Sequence, residues 1–120
     1  MLRLEEIARF CGDVDAAVRF YEALLDEKSQ MHQPGEAAVF MLGDVKPFLH
    51  KKSETQEPGR PLRDEDHVAF AVDDVDQACA ALRAQGLTIE VPPRIFYWGR
   101  SAYLRDPEGR LIELHQPPRG

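Results

Sequence analysis

The sequence is poor in cysteine and has no long apolar run, and each absence excludes a class of protein. Cys11 and Cys79 are its two cysteines among 120 residues, and their wide spacing fits neither a disulfide framework nor a C-x-x-C redox pair. No stretch approaches the roughly 20 apolar residues of a membrane-spanning helix, and the N-terminal residues lack the apolar core of a signal peptide. We therefore expect a cytoplasmic protein with reduced cysteines and no membrane partner.

Positive charge is also scarce. The chain has 15 lysines and arginines against 21 aspartates and glutamates, a formal net charge of −6, which argues against nucleic acid as a partner. Motifs of a phosphate-binding loop, a nucleophile elbow or a paired Cys–His nucleophile are missing from the sequence. The contents of 43% hydrophobic and 30% charged residues are ordinary for a folded globular chain.

What the sequence does contain is an internal repeat. Glu5–Ala17 aligns with Asp66–Ala78, and both segments carry the tripeptide Asp-Val-Asp. Asp13 and Asp74 are predicted helix N-cap residues, each followed by an apolar stripe at helical spacing. Each half has the pattern strand–helix–strand–strand–strand, and a lone half would leave one sheet face bare. The sequence therefore predicts an α+β fold of two paired βαβββ modules.

The module boundaries follow from composition. The predicted first module covers residues 1–51, an exposed polar linker covers 52–65, and the second module covers 66–120. Lys28–His32 is predicted as a strand of the first module. Leu87–Val91 is predicted as a strand of the second module, followed by an irregular aromatic segment at Pro92–Trp98.

A turn and an acidic strand residue dominate the end of the chain. The turn Asp106-Pro107-Glu108-Gly109 predicts a hairpin with positive φ at Gly109. In the following strand, alternation places Glu113 on the face opposite Ile112 and Leu114. A carboxylate in the middle of a strand is costly to bury without a cation or a donor. Glu113 therefore needs a partner, and a salt bridge to Arg100 or Arg110 is one, since both are close in sequence.

HVAFAVDD at the start of the second module and DPEGRLIEL near its end resemble the vicinal oxygen chelate superfamily. Its members include glyoxalase I, bleomycin resistance proteins and extradiol dioxygenases. The resemblance implies two modules that form a curled mixed sheet around a cup, and a homodimer. It also implies a divalent metal ion (Zn, Ni, Mn or Fe), held by residues of the first and last strands of each module.

Carried over residue by residue, His67 and Glu113 match the two metal ligands of the second module. Glu6 falls where the first module of the family usually has histidine. Glutamate is a competent oxygen ligand, but a residue other than histidine is also what a metal-free member would carry. The fourth ligand position falls on Phe48 or His50, depending on whether the strand bulges at proline. A structural histidine at position 67 and a solvated acid at position 6 are the non-functional alternatives.

Two further features lie beside these residues. Arg9 falls on the expected helix-facing side of the first strand, so either a bulge shifts that strand or Arg9 bridges to an acid such as Asp13 or Asp15. Tyr97 and Trp98, ahead of Phe96, are predicted to form a pocket wall, with Arg100 as a further substrate-binding residue. The alternative is that these aromatic residues form a core plug or a dimer contact. A small-molecule ligand is the expected partner.

Two functions remain open at the level of sequence. The first is a glyoxalase-like, metal-dependent lyase or isomerase acting on a substrate with neighbouring oxygens, with Glu113 and Glu6 as the catalytic carboxylates. The second is a metal-free small-molecule binding protein of the bleomycin-resistance type.

Overall fold

The protein has an α+β fold, as the sequence predicted. The computed structural model describes residues 2–53 and 58–118. Neither described helix combines the length and apolarity that crossing a bilayer requires. The elements in chain order are β1 (Arg3–Cys11), α1 (Val14–Leu25), β2 (Met31–Gln33), β3 (Ala37–Val39), β4 (Lys46–Lys51), β5 (His67–Ala71), α2 (Val75–Ala84), β6 (Val91–Phe96), β7 (Gly99–Arg105) and β8 (Leu111–Gln116).

The chain divides into two compact units with the predicted βαβββ order. The first unit is Glu6–Asp66, and the second unit is His67–Gly120 with Met1–Glu5. In the first unit the strand order is β2-β3-β4-β1, and β1 runs parallel to β4. Helix α1 covers one face of this sheet, because Val14 and Val18 pack against Phe40 and Leu49. The predicted cap is confirmed: the Asp13 side chain accepts a hydrogen bond from the Ala16 N–H at 3.0 Å.

The second unit repeats this construction. Its strand order is β5-β8-β7-β6, with β5 parallel to β8 and the remaining neighbours antiparallel. Val75 and Cys79 of helix α2 pack against Leu104 and Leu114 of the sheet. Asp74 caps this helix by accepting from the Gln77 N–H at 3.0 Å. Helix α2 thus covers one face of this sheet, and the opposite face is available to a site. This opposite face is called the polar face below.

Two predictions about strands were wrong. The second-unit strand is Val91–Phe96 rather than Leu87–Val91, so most of the segment predicted as irregular is β6. This strand lies at the edge of the sheet, and its register with β7 shifts between Val91 and Arg94. Proline is tolerated at edges and bulges because no ladder hydrogen bond needs its missing N–H. In the first unit, Met31–Gln33 replaces the predicted strand Lys28–His32.

The segment predicted as an exposed linker contains a buried anchor. Residues 54–57 lie outside the described residues, but Asp64 is buried and accepts from the Ser53 N–H and from Arg60, both at 2.9 Å. Of the two explanations for Arg9, the bridge to an acid is confirmed, but the acid is Asp66 rather than Asp13 or Asp15. Its guanidinium contacts Asp66 at 3.2 Å, and the pairing of β1 with β4 runs without a register shift from Glu6 onward. A carboxylate distant in sequence balances this charge.

Candidate functional site

The candidate site lies on β8 because alternation sorts its side chains by chemistry. Ile112 and Leu114 belong to the core under α2, as predicted, so Glu113 and His115 project onto the polar face. The hairpin fixes the register of β8 against β7, with Tyr103 opposite Glu113 and Ser101 opposite His115. The predicted positive φ at Gly109 is confirmed at 85°. The turn therefore sets which β7 residues lie next to Glu113.

Glu113 is a buried carboxylate with donors on both oxygens. The residue is 5% exposed. Its Oε1 lies 3.1 Å from His67 Nε2. Its Oε2 accepts from the Ser101 hydroxyl at 2.7 Å and from the Trp98 indole N–H at 3.2 Å. Three side chains from three different segments thus converge on one carboxylate.

These contacts set the charge of Glu113. Burial raises the pKa of the Glu113 carboxyl group, but hydrogen bonds from His67 and Ser101, together with the nearby imidazoles of His67 and His115, outweigh it. They hold that pKa below its ordinary value. Glu113 is therefore ionised at neutral pH, and His67 Nε2 carries the hydrogen that lies between the two side chains.

The partner that Glu113 required is His67, and neither predicted arginine fills that position. The guanidinium of Arg100 makes two hydrogen bonds to Asp76 at the start of α2, at 2.7 and 2.8 Å. Arg110 instead contacts Asp106 in the turn at 3.5 Å. Arg100 alternates with Ser101 along β7, so its side chain lies on the α2 side of the sheet, away from Glu113.

A cluster of aromatic side chains, Phe96, Trp98 and Tyr103, borders the Glu113 carboxylate and is called the aromatic group below. Phe96 and Trp98 are stacked, with ring centroids 4.4 Å apart and planes inclined by 8°. Phe96 also meets Tyr103 edge to face at 6.1 Å, and Tyr103 meets His67 in the same way at 6.1 Å. Tyr97 is 92% exposed at the tip of the β6–β7 turn. Of the predicted pocket residues, the structure brings Trp98 to Glu113 and leaves Tyr97 largely exposed, with its ring edge to face against Trp98 at 4.8 Å.

Sequence reasoning assigned no role to His115. Its Nε2 lies 3.2 Å from the Trp98 carbonyl oxygen, and its Nδ1 lies 3.3 Å from a carboxylate oxygen of Glu5. Since a carbonyl oxygen only accepts, Nε2 carries a hydrogen. Gly99 allows this close approach, because a Cβ there would lie 2.9 Å from His115 Nε2. His115 thereby holds the backbone of the turn that presents Trp98.

Ser101 and Tyr103 were also missed. Counting back from the predicted hairpin would have placed both on the polar face, since Arg105 pairs with Leu111 across the turn. Their residue types gave no further signal.

The first unit has a corresponding face with different chemistry. Glu6 lies on β1 opposite Lys46, Ala8 lies opposite Phe48, and Phe10 lies opposite His50. The alternation is uninterrupted at Pro47, so Phe48 and His50 share a face, with their rings stacked at 5.8 Å. The Nδ1 atom of His50 lies 2.7 Å from the Lys51 carbonyl oxygen.

The distance between His67 and Glu113 indicates whether both side chains could bind one divalent ion. Two ligands with bonds of about 2.1 Å on one ion have donor atoms roughly 3.0–3.4 Å apart at octahedral or tetrahedral angles. The separation of 3.1 Å between His67 Nε2 and Glu113 Oε1 fits this range. Across residues 2–53 and 58–118, no three His, Cys, Asp or Glu side chains form a group that could hold a metal ion. His67 and Glu113 could therefore supply two ligands of one ion, and the described residues supply no third.

Comparisons with known proteins agree with this architecture. A family model described as the Glyoxalase/Bleomycin resistance protein/Dioxygenase superfamily matches residues 3–114. A structure described as NAD-dependent benzaldehyde dehydrogenase from Legionella pneumophila is 18% identical, with a TM-score of 0.75 over 94% of this chain and 98% of that chain. A variant of Streptomyces coelicolor methylmalonyl-CoA epimerase, in complex with 2-nitronate-propionyl-CoA, is 25% identical, with a TM-score of 0.68 over 96% and 94%. The search of curated proteins gave no match.

Proposed function

Because the chain belongs to the Glyoxalase/Bleomycin resistance protein/Dioxygenase superfamily, we propose that it is a small-molecule enzyme of the lyase or isomerase type. Its substrate carries neighbouring oxygens, and Glu113 is the catalytic carboxylate that accepts a proton from it. The observation that carries the proposal is the burial of an ionised Glu113 beside His67. Buried ion pairs contribute little to folding relative to apolar packing, whereas perturbed carboxylates cluster at functional sites.

The surroundings of Glu113 support this role. A base must be ionised at the working pH, and Glu113 is, because its pKa lies below the ordinary value; the same lowering weakens its affinity for a proton, so its substrate must carry an already acidified hydrogen. The hydroxyl of Ser101 and the indole N–H of Trp98 fix the carboxylate in one orientation. The stacked rings of Phe96 and Trp98 offer an apolar surface for the carbon skeleton of a ligand.

A divalent ion (Zn, Ni, Mn or Fe) is the cofactor of this proposal. His67 and Glu113 would hold it, and the remaining positions would be open to the substrate or to water. The ion would supply Lewis-acid stabilisation of a developing enolate. Binding through Nε2 requires His67 to lose the hydrogen it now shares with Glu113, so the ion and the hydrogen bond exclude each other.

A second candidate is a metal-free small-molecule binding protein. The observation favouring it is that Glu113 already accepts from three side chains, which balances its charge without an ion. In that case the aromatic group would hold the ligand by stacking and buried area.

The test is exchange of carbon-bound hydrogen in heavy water. Small carbonyl compounds are incubated with the protein loaded with each of the four metals, and loss of the α-hydrogen signal is followed by proton NMR. We expect exchange with the wild type and at least a hundredfold slower exchange with Glu113→Gln, in line with the usual contribution of a general base of about 10²–10⁴. Glu108→Gln, at an exposed turn position, is the matched control and keeps full activity.

Binding without exchange for any compound or metal would favour the metal-free binding protein. Equal exchange by the wild type and Glu113→Gln would refute the assigned role of Glu113.

A further inference from the structure

Arg94 is an exposed cation beside the aromatic group of the polar face. It pairs with Ser101 across β6 and β7, and Ser101 donates to Glu113, so Arg94 and Glu113 are separated by one strand. The guanidinium lies over the ring of Phe96, with its carbon 5.1 Å from the ring centroid. Stacking on an aromatic face restricts a guanidinium while leaving its N–H edge free to donate.

Arg94 differs from the other strand arginines of the second unit. Arg100 is bonded to Asp76, and Arg105 to Glu90 at 2.8 Å. Arg94 has no carboxylate partner among the residues that the structure describes. Within residues 2–53 and 58–118, its fork of donors is therefore not engaged by a carboxylate.

The charges on the polar face are thus unequally balanced. The negative charge of Glu113 receives hydrogen bonds from His67, Ser101 and Trp98. Among the described residues, the positive charge of Arg94 contacts the ring of Phe96. A ligand that complements this face brings a negative charge to Arg94 and an uncharged portion to the aromatic group.

We propose that the ligand is an anionic small molecule whose carboxylate or phosphate oxygens are bound by Arg94. The fork of a guanidinium matches both oxyanions in a bidentate manner. The rest of the molecule lies beside the Phe96–Trp98 stack, because the two faces of Phe96 are taken by Trp98 and Arg94, and its carbonyl group lies on the side of Glu113. This assignment rests on the proposed function, since it takes the polar face as the substrate site.

The experiment uses Trp98, the single tryptophan of the chain, whose indole N–H gives one signal in a nitrogen–proton correlation spectrum. The wild type is titrated with 2-oxobutanoate, with its uncharged amide 2-oxobutanamide, and with inorganic phosphate. The same titrations are run on Arg94→Gln, and on Arg110→Gln as a control that removes one charge from a side chain 75% exposed in the turn. The circular dichroism spectra of both variants are compared with that of the wild type.

We expect 2-oxobutanoate to shift the indole signal with saturation, and its amide to bind about tenfold more weakly or not at all. Arg94→Gln should lose about tenfold in affinity for the acid, the scale of a hydrogen bond to a charged group, while Arg110→Gln should bind like the wild type. Binding of phosphate but not of 2-oxobutanoate would identify phosphate as the oxyanion.

Equal binding of acid and amide would overturn the anion assignment and leave the proposed function standing. An equal loss in both variants would also overturn it, because net charge rather than Arg94 would then be responsible. Failure of the proposed function is recognised separately, by the absence of Glu113-dependent hydrogen exchange.

Discussion

Removing His67 should destabilise the protein by leaving a charge buried without its main partner. The side chains of His67 and Glu113 are only 10% and 7% exposed, so solvent can replace little of the lost contact. Breaking a buried ion pair from one side costs about 3–5 kcal/mol. We take the lower end, about 3 kcal/mol, because Ser101 and Trp98 would still donate to Glu113.

A double-mutant cycle isolates this effect from the other contacts of His67. Glu113→Gln keeps the shape of the side chain and removes its charge, so we expect it to cost about 1 kcal/mol. In the double variant no charge is left buried, and it should be more stable than His67→Ala alone by about 2 kcal/mol.

The assay is urea unfolding at pH 7 in the presence of a chelator, followed by the fluorescence of Trp98 within the second unit. With a slope of about 2 kcal/mol per molar, His67→Ala should shift the midpoint down by about 1.5 M. The reasoning fails if His67→Ala unfolds at the wild-type midpoint, or if adding Glu113→Gln to it lowers the midpoint further.

Three further expectations can be checked on purified protein. Gly109→Val should cost about 1–3 kcal/mol through backbone strain alone, because φ is +85° and a Cβ at that position meets nothing within 4 Å; a circular dichroism melt identical to that of the wild type would contradict this. If the protein is purified with metal, a chelator at pH 8 should lower the melting temperature of the wild type by several degrees and leave that of His67→Ala unchanged. Identical melts with and without chelator, in protein that contains no metal, would count against the metal-dependent enzyme. Light scattering at micromolar concentration should give the mass of a homodimer, and a monomer mass would remove that prediction.

The sequence was sufficient for the features that depend on local chemistry. The caps at Asp13 and Asp74, the positive φ at Gly109 and the alternation around Glu113 each depend on residues close together in the chain. All four are confirmed.

The partners of Glu113 depend on strand register, and here prediction succeeded only in part. His67 was identified by its family position, whereas Ser101 is an ordinary strand residue whose role appears only when β7 is laid against β8. β6 was missed because Pro92 and Pro93 argue against a strand, and only its edge position makes them acceptable. The ion pair of Arg9 joins residues 57 positions apart, a distance at which local pattern carries no information.

The alternation on β8 also protects the folding of the protein. Sliding this strand by one residue would turn Glu113 and His115 toward the apolar packing of Val75 and Cys79, and would bring Leu114 to the polar face. Burying a charge among such residues costs several kcal/mol, so misregistered pairings are disfavoured by the same residues proposed to bind the ligand. A redesign that replaced Glu113 and His115 with apolar side chains would make both faces of β8 apolar. The redesigned protein would lose the candidate site. It would also lose the free-energy cost of burying a charge, which keeps β8 in a single register.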